Sequence, residues 1–425
     1  MTIYEHFCKS YQVSTDSRHI EPASVFFALR GERFDGNDFA LEVAEAGVAS
    51  LVVADRQSLP DHPRIVKVND TLKALQGLAL YHRLQMPRLK VLSITGTNGK
   101  TTTKELVSAV LGKKYNTIFT QGNFNNHIGV PLTLLRITPE TEFAVVEMGA
   151  NHPGEIQTLA HIACPDYGII TNIGKAHLEG FGSFEGVIKT KNELYEHLKT
   201  EGKTAFVNGD NPLLMGLAKE LIHHTYGSGG RNEYITTLLS CDPYLKVSTA
   251  KTGDIQTHLV GSYNFENVAA AIAVGRYFGV DEDDIKAALE HYEPTNSRSQ
   301  VIEGKNRIVM DAYNANPTSM NASVRNFKQI CGDHAMLILG DMRELGNASE
   351  QEHKTILDLL KTLGFHQVML VGPCFCQFND NAEYLTFPTV DDLVTYLGQH
   401  PVEGQTILVK GSRGIQLEKA LPSIQ

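Results

Sequence analysis

The chain has 425 residues, 42% of them hydrophobic, and a formal net charge of −10. That length suits about two to four domains, and the acidic balance without a basic run argues against nucleic-acid or anionic-membrane binding. The apolar runs are too short to span a bilayer, the N-terminus lacks a basic-then-apolar leader pattern, and the six scattered cysteines show no zinc-type spacing, so a reduced cytoplasmic protein is expected.

Residues 1–84 carry short β-like runs at Ser24–Leu29, Ser50–Val53 and Arg64–Val68, with helical spacing around Phe39–Gly47. They read as a small α/β module. Met86-Pro87 is the expected hinge into a second segment, residues 85–294. This segment opens on an apolar strand, Val91–Thr95, then the turn Gly96-Thr97-Asn98-Gly99-Lys100-Thr101-Thr102-Thr103 and a helix-forming stretch, Lys104–Leu111. Such a loop aims several backbone N–H groups and the positive end of a helix dipole at a polyphosphate. Two residues separate its glycines, fewer than in the usual phosphate loop, so it is a short variant. Lys100 is expected to reach the outer phosphates of ATP, and the Thr101 hydroxyl to sit on magnesium. A ligand-free Gly-rich turn explains Gly-Lys-Thr-Thr poorly.

Further apolar strands follow at Phe143–Met148, Gly168–Ile173 and Thr204–Val207, and an Ala-rich helix, Phe265–Tyr277, closes the segment. Strands alternating with helices predict a parallel sheet. The third segment, residues 295–425, has strands at Arg307–Met310, Ala335–Leu339, Gln367–Val371 and Thr406–Val409, with a helical stretch at Glu352–Leu363. It reads as a second doubly wound, Rossmann-like α/β unit. Ligands of such sheets lie at the carboxyl ends of the strands.

Several residues sit at those ends. Glu147 closes its strand, where it reaches a loop-bound magnesium or is simply solvated. His177 follows the next strand and is either a ligand or structural. Asn123, Asn125 and Asn126 fill a polar loop suited to a polar substrate, or to an ordinary turn. Lys189 and Lys191, on their residues alone, read as surface lysines. Asp311, Tyr313, Asn314 and Asn316, with the run Gly340-Asp-Met-Arg-Glu-Leu-Gly, are placed for a ligand shared with the middle segment.

The phosphate loop, Glu147-Met-Gly-Ala-Asn, Asp311-Ala-Tyr-Asn-Ala-Asn-Pro and Leu339-Gly-Asp-Met-Arg-Glu-Leu-Gly together resemble the Mur ligases of bacterial cell-wall synthesis, over essentially the whole chain. The resemblance implies a UDP-binding module, a central P-loop ATPase domain and a C-terminal Rossmann-like domain. It implies an ATP-dependent ligase that joins D-alanyl-D-alanine to a UDP-linked muramoyl tripeptide through an acyl phosphate, working as a monomer. The ligase that adds the third peptide residue carries Asp-Tyr-Ala-His-type and Asp-Asn-Pro-Arg motifs, which are absent here.

By the same resemblance, Gly96, Thr97, Asn98, Gly99, Lys100, Thr101 and Thr102 hold ATP. Asn267 lies at the adenine, Asp311 at the ribose, Arg298 near the terminal phosphate, and Asn316 in the same nucleotide site. Thr101, Glu147, His177 and a carbamylated Lys191 hold magnesium, with Lys189 the competing lysine. Thr15, Ser17, Arg33 and Phe34 belong to UDP-binding elements, and Asn125 and Asn126 to the substrate site. Alternatives are another Mur-type ligase, a folylpolyglutamate-type ligase and a nucleotide switch. The folate enzymes lack such a UDP module, and a GTPase would need an Asn-Lys-x-Asp motif that does not occur.

Overall fold

The computed structural model describes residues 1–294, 298–332, 334–379 and 383–425. The expected start of the third segment, residues 295–297, lies outside them. Among the described residues the strands form four sheets. The first module is a four-stranded parallel sheet in chain order, Val13–Ser14, Val25–Phe27, Leu51–Ala54 and Ile65–Lys67. The central sheet is parallel and seven-stranded. Its order is Tyr234–Ile235, Ile222–Gly227, Thr204–Asn208, Tyr167–Ile170, Lys90–Thr95, Phe143–Glu147, Thr117–Phe119. The last lobe has six strands, Gln300–Glu303, Arg307–Met310, Thr406–Lys410, Ala335–Gly340, Gln367–Val371 and Leu385–Phe387, and only the first of these runs antiparallel.

The inner central strands form where apolar residues cluster. Phe143–Glu147 is buried along its whole length, as expected for a parallel strand covered on both faces. A three-stranded antiparallel sheet, Thr237–Cys241, Tyr244–Thr249 and Gly253–Val260, was not expected from the sequence. Its first strand is mostly exposed, and its middle and last strands show the alternation that marks a half-covered strand. The helix after the phosphate loop starts at Lys100 rather than Lys104, because the threonines wind straight into it.

Helix Thr71–Leu84 joins the first module to the centre. Asp70 caps it by accepting from the Lys73 N–H, and Leu75, Leu78, Ala79, His82 and Arg83 form its buried stripe. That spacing is the inward face of an amphipathic helix. Phe7, Val25 and Leu75 share one apolar core with Leu134, Ile137 and Leu159 of the central lobe. On the opposite face of the central sheet, Leu106 and Val110 of the phosphate-loop helix pack on Ala270 and Val274. None of the described helices is long and apolar enough to cross a membrane.

Candidate active site

Strand Lys90–Thr95 lies between Tyr167–Ile170 and Phe143–Glu147, and the chain builds the sheet first on the Phe143–Glu147 side and then, from Tyr167–Ile170 onward, on the other. This is the topological switch point, where an open α/β sheet leaves a crevice beyond its carboxyl ends. The phosphate loop, Glu147 and the segment leading to His177 all leave the sheet there. Facing them are the strand ends of the last lobe, and between the two lies a cleft of about 1270 Å³.

The loop can be built only with glycine at its corners. Gly96 has φ 144° and Gly99 φ 76°, values an L side chain rarely adopts. A Cβ on Gly96 would come within 2.0 Å of Thr171 Oγ1, and one on Gly99 within 2.5 Å of Asn267 Oδ1. Thr97 Oγ1 donates to the Gly174 carbonyl at 3.2 Å, bracing the loop against the neighbouring strand end. Lys100 folds back over the loop and donates to the carbonyls of Gly96 (2.8 Å) and Thr97 (3.0 Å). Burial lowers the pKa of its ammonium, opposed by the carboxylate of Glu147 and assisted by the charge of Arg298. Thr101 and Thr102 are buried in the first helical turn and line the cleft.

Glu147 is 2% exposed. Its Oε1 accepts from Asn125 Nδ2 at 2.8 Å, while Oε2 has no hydrogen-bond partner. A buried, half-satisfied carboxylate is costly unless a cation meets it. The donor set here, one orphan carboxylate oxygen, a threonine hydroxyl and an imidazole, fits a divalent ion. The solvated strand-end alternative for Glu147 is thereby excluded. His177 lies on the cleft wall, with Nδ1 against Glu344 Oε2 of the last lobe. That contact holds the Glu344 carboxyl below its ordinary pKa.

The surface reading of Lys191 is corrected. Lys191 is 2% exposed, whereas Lys189 is exposed. Helix Phe184–Thr200 buries Val187, Thr190, Lys191, Leu194, Tyr195 and Leu198, a stripe that places the lysine in the apolar face. Burial, then the nearby charge of Lys100, pushes the Lys191 pKa down to about 7. About half of its amine is therefore in the neutral, nucleophilic form near pH 7.

On the opposite wall Asp311 Oδ2 accepts from Lys410 Nζ (2.6 Å) and Ser323 Oγ (2.8 Å). Lys410, a buried cation ending strand Thr406–Lys410, was not singled out from the sequence. Its signal was a charge closing an apolar strand, the same pattern that marked Glu147. The Arg298 guanidinium stacks 3.6 Å from the centre of the Tyr313 ring. Asn316 Nδ2 donates to Asn98 Oδ1 at 2.7 Å, joining last lobe to phosphate loop.

Other expected residues take structural parts as well. Asn267 lines the cleft, but its Oδ1 accepts from Thr103 Oγ1 (2.9 Å) and its Nδ2 donates to Asn264 Oδ1 (2.9 Å). It clamps helix Phe265–Tyr277 to the phosphate-loop helix. Asn126 Oδ1 accepts from the N–H groups of Ile128 and Gly129 at the start of helix Gly129–Leu134. Thr15 and Ser17 are half-buried, Arg33 and Phe34 exposed, and none of the four lines the cleft.

Comparison with known proteins agrees with this architecture. Three family descriptions match in order: the Mur ligase family catalytic domain over residues 9–83, the Mur ligase middle domain over 94–275, and the Mur ligase glutamate ligase domain over 297–413. The UDP-N-acetylmuramoyl-tripeptide–D-alanyl-D-alanine ligase of Bacillus subtilis is 38% identical, over 97% of this chain and 92% of that protein. The chain belongs to the Mur ligase family. The Escherichia coli ligase of the same name is 36% identical, over 97% of this chain and 93% of its own. Among solved Mur ligases, MurF from Acinetobacter baumannii superimposes with a TM-score of 0.86 at 32% identity, covering 97% and 92% of the two chains. MurF from Thermotoga maritima, solved in complex with ADP, gives 0.84 at 27% identity, covering 97% and 96%.

Proposed function

We propose that this Mur ligase joins D-alanyl-D-alanine to UDP-N-acetylmuramoyl-tripeptide, consuming ATP, to build a peptidoglycan precursor. It is an ATP-dependent ligase that forms carbon–nitrogen bonds. The observation that carries the reading is the facing of a short phosphate loop and a polar last-lobe wall across one cleft, in a chain that aligns over nearly its full length with ligases of that name. We assign the UDP-binding, ATP-binding and C-terminal domains to residues 1–84, 85–294 and 295–425, and place the activity in the cytoplasm.

A peptide carboxylate resists attack because resonance and charge repel the nucleophile. A carboxylate oxygen bonds to the γ-phosphorus of ATP as the β–γ bridging P–O bond breaks, and ADP leaves. The dipeptide amine then attacks the acyl carbon through a tetrahedral intermediate, loses a proton, and phosphate departs. Lys100 and the N–H groups of residues 99–102 offset the charge gathering on the phosphates, while those of Thr97 and Asn98 are held by Asn172. Arg298 adds a second cation beside the transferred group. Asn316 against Asn98 keeps the last lobe over the loop, excluding the water that would hydrolyse an acyl phosphate.

Thr101, Glu147, His177 and a carbamylated Lys191 would hold magnesium, which supplies Lewis-acid neutralisation of the phosphates when bound. Carbamylation needs a neutral amine: the Lys191 nitrogen bonds to the carbon of CO2, a proton leaves, and a carbamate anion replaces the cation. A lysine titrating near 7 is suited to that reaction. Thr15, Ser17, Arg33 and Phe34 are placed on the UDP moiety, and Asn125 and Asn126 at the peptide.

The deciding experiment is product identification by mass, with ATP, UDP-muramoyl tripeptide and D-alanyl-D-alanine. Lys100→Ala should lower turnover by about 10³-fold or more with an unchanged circular dichroism spectrum. A folded Lys100→Ala protein with near-normal turnover would refute the assignment. Lys191→Ala should be inactive, and added bicarbonate should leave it so.

A further inference from the structure

Glu344 lies in the run Gly340-Asp-Met-Arg-Glu-Leu-Gly beyond strand Ala335–Gly340 of the last lobe, and no individual role has been given to it above. It crosses to the central lobe, where its Oε2 meets His177 Nδ1. Both residues have left-handed backbones, φ 64° for Glu344 and φ 51° for His177. Non-glycine residues pay a conformational cost there, and such positions persist only where the surroundings over-determine them. The Glu344 carbonyl also accepts from the Glu179 N–H at 3.3 Å, so backbone and side chain grip the same turn. Lys175, two residues before the histidine, is held separately: its Nζ donates to Glu352 Oε1 at 2.7 Å and its N–H to Thr318 Oγ1 at 3.1 Å.

We propose that Glu344 is a positioning residue that aims His177 at the metal, and that aiming happens only when the last lobe is seated. An imidazole has two nitrogens, and the partner of one decides the ring orientation and the role of the other. With Nδ1 facing a carboxylate, a proton is favoured on that nitrogen and Nε2 is left as the ring's metal-binding atom. Because the carboxylate arrives from the opposite lobe, an open enzyme leaves the ring unaimed. Closure thus completes the cation site, which ties phosphoryl transfer to the state that excludes water. The proposal rests on the reading of His177 as a metal ligand.

The test uses Mn2+ as probe, bound to the full-length chain with a non-hydrolysable ATP analogue and followed by electron paramagnetic resonance. Wild type should show nitrogen coupling from one imidazole. Glu344→Ala should weaken Mn2+ binding about 10-fold or more and reduce that coupling, and Glu344→Gln, which keeps an acceptor oxygen, should fall between. Lys175→Ala, which removes one lobe tie without touching the ring, should lower Mn2+ affinity less than Glu344→Ala and leave the nitrogen coupling of the bound ion as in wild type. If Glu344→Ala keeps full affinity and coupling while His177→Ala loses both, Glu344 is only a tie between lobes and the proposal fails. If His177→Ala itself keeps both, the metal-ligand reading fails instead, and the proposal with it.

Discussion

The central lobe meets the first module mainly through carbon and the last lobe mainly through polar atoms. Toward the module, Leu75 and Leu78 enter a core shared with Leu134 and Leu159. The buried Arg83 donates to Asp166 at 2.7 Å, and His82 is fixed by the Ile137 carbonyl at 2.9 Å. Toward the last lobe, Val260 and Leu178 contribute some apolar packing, but the ties around the cleft are Asn98–Asn316, His177–Glu344 and Lys175–Glu352. Apolar surface hidden from water cannot be re-exposed cheaply, at about 25 cal/mol per Å². Amide and ion pairs at a wet boundary exchange partners with water at small net cost. One junction is therefore built to stay shut while the other can open and close during turnover.

Truncation should separate the two junctions most sharply. A fragment of residues 1–294 should remain soluble and unfold cooperatively, whereas residues 85–425 should aggregate, because the Leu134–Leu159 face loses its cover. Equal behaviour of the two fragments in sedimentation and thermal melts would remove the distinction. Leu75→Ala should next cost about 2–5 kcal/mol in denaturant unfolding, since the side chain is fully buried.

Lys191→Met tests the buried amine inside the central lobe. Its ammonium titrates at 10.5 in a free chain and about 7 when folded. Between those values the unfolded chain binds more protons, so wild-type stability rises with pH across that window. In CO2-free buffer the Met variant should be more stable by about 2–4 kcal/mol at pH near 6, and the gain should shrink toward about pH 10. A pH-independent difference would contradict the buried-amine account. At the small end, Lys175→Ala should change stability by at most about 1 kcal/mol, since its ammonium is half-exposed. A larger loss would mean that the polar junction is as firm as the apolar one.

Much of this architecture is legible in the chain itself. Phe143–Glu147 is a continuous apolar run ended by a chemistry-bearing carboxylate, and Lys90–Thr95 is a mostly apolar strand that leads into the phosphate loop. The edge strands were harder to see, because Tyr234–Ile235 is a two-residue strand and Thr237–Cys241 is mostly exposed. Lys191 was readable in principle from Val187, Thr190, Leu194 and Leu198, whose spacing runs through it. Charge alone pointed to the surface, and the helical period overrules charge when the stripe is that long. Asn126 and Asn267 show the converse: an amide attracts a ligand reading, yet its hydrogen bonds are as readily taken by its own helix end or a neighbouring helix.

What local sequence determined, then, was the α/β class, the phosphate loop and which residues stand at the strand ends. These follow from side-chain period and from glycines at backbone angles other residues rarely adopt. Tertiary structure alone decided which oxygen of Glu147 is left unpaired, that Lys191 is buried beside Lys100, and that Glu344 reaches His177 from the other lobe. Each of those depends on groups brought together from distant parts of the chain, and no local pattern records the dielectric or the partner that folding supplies.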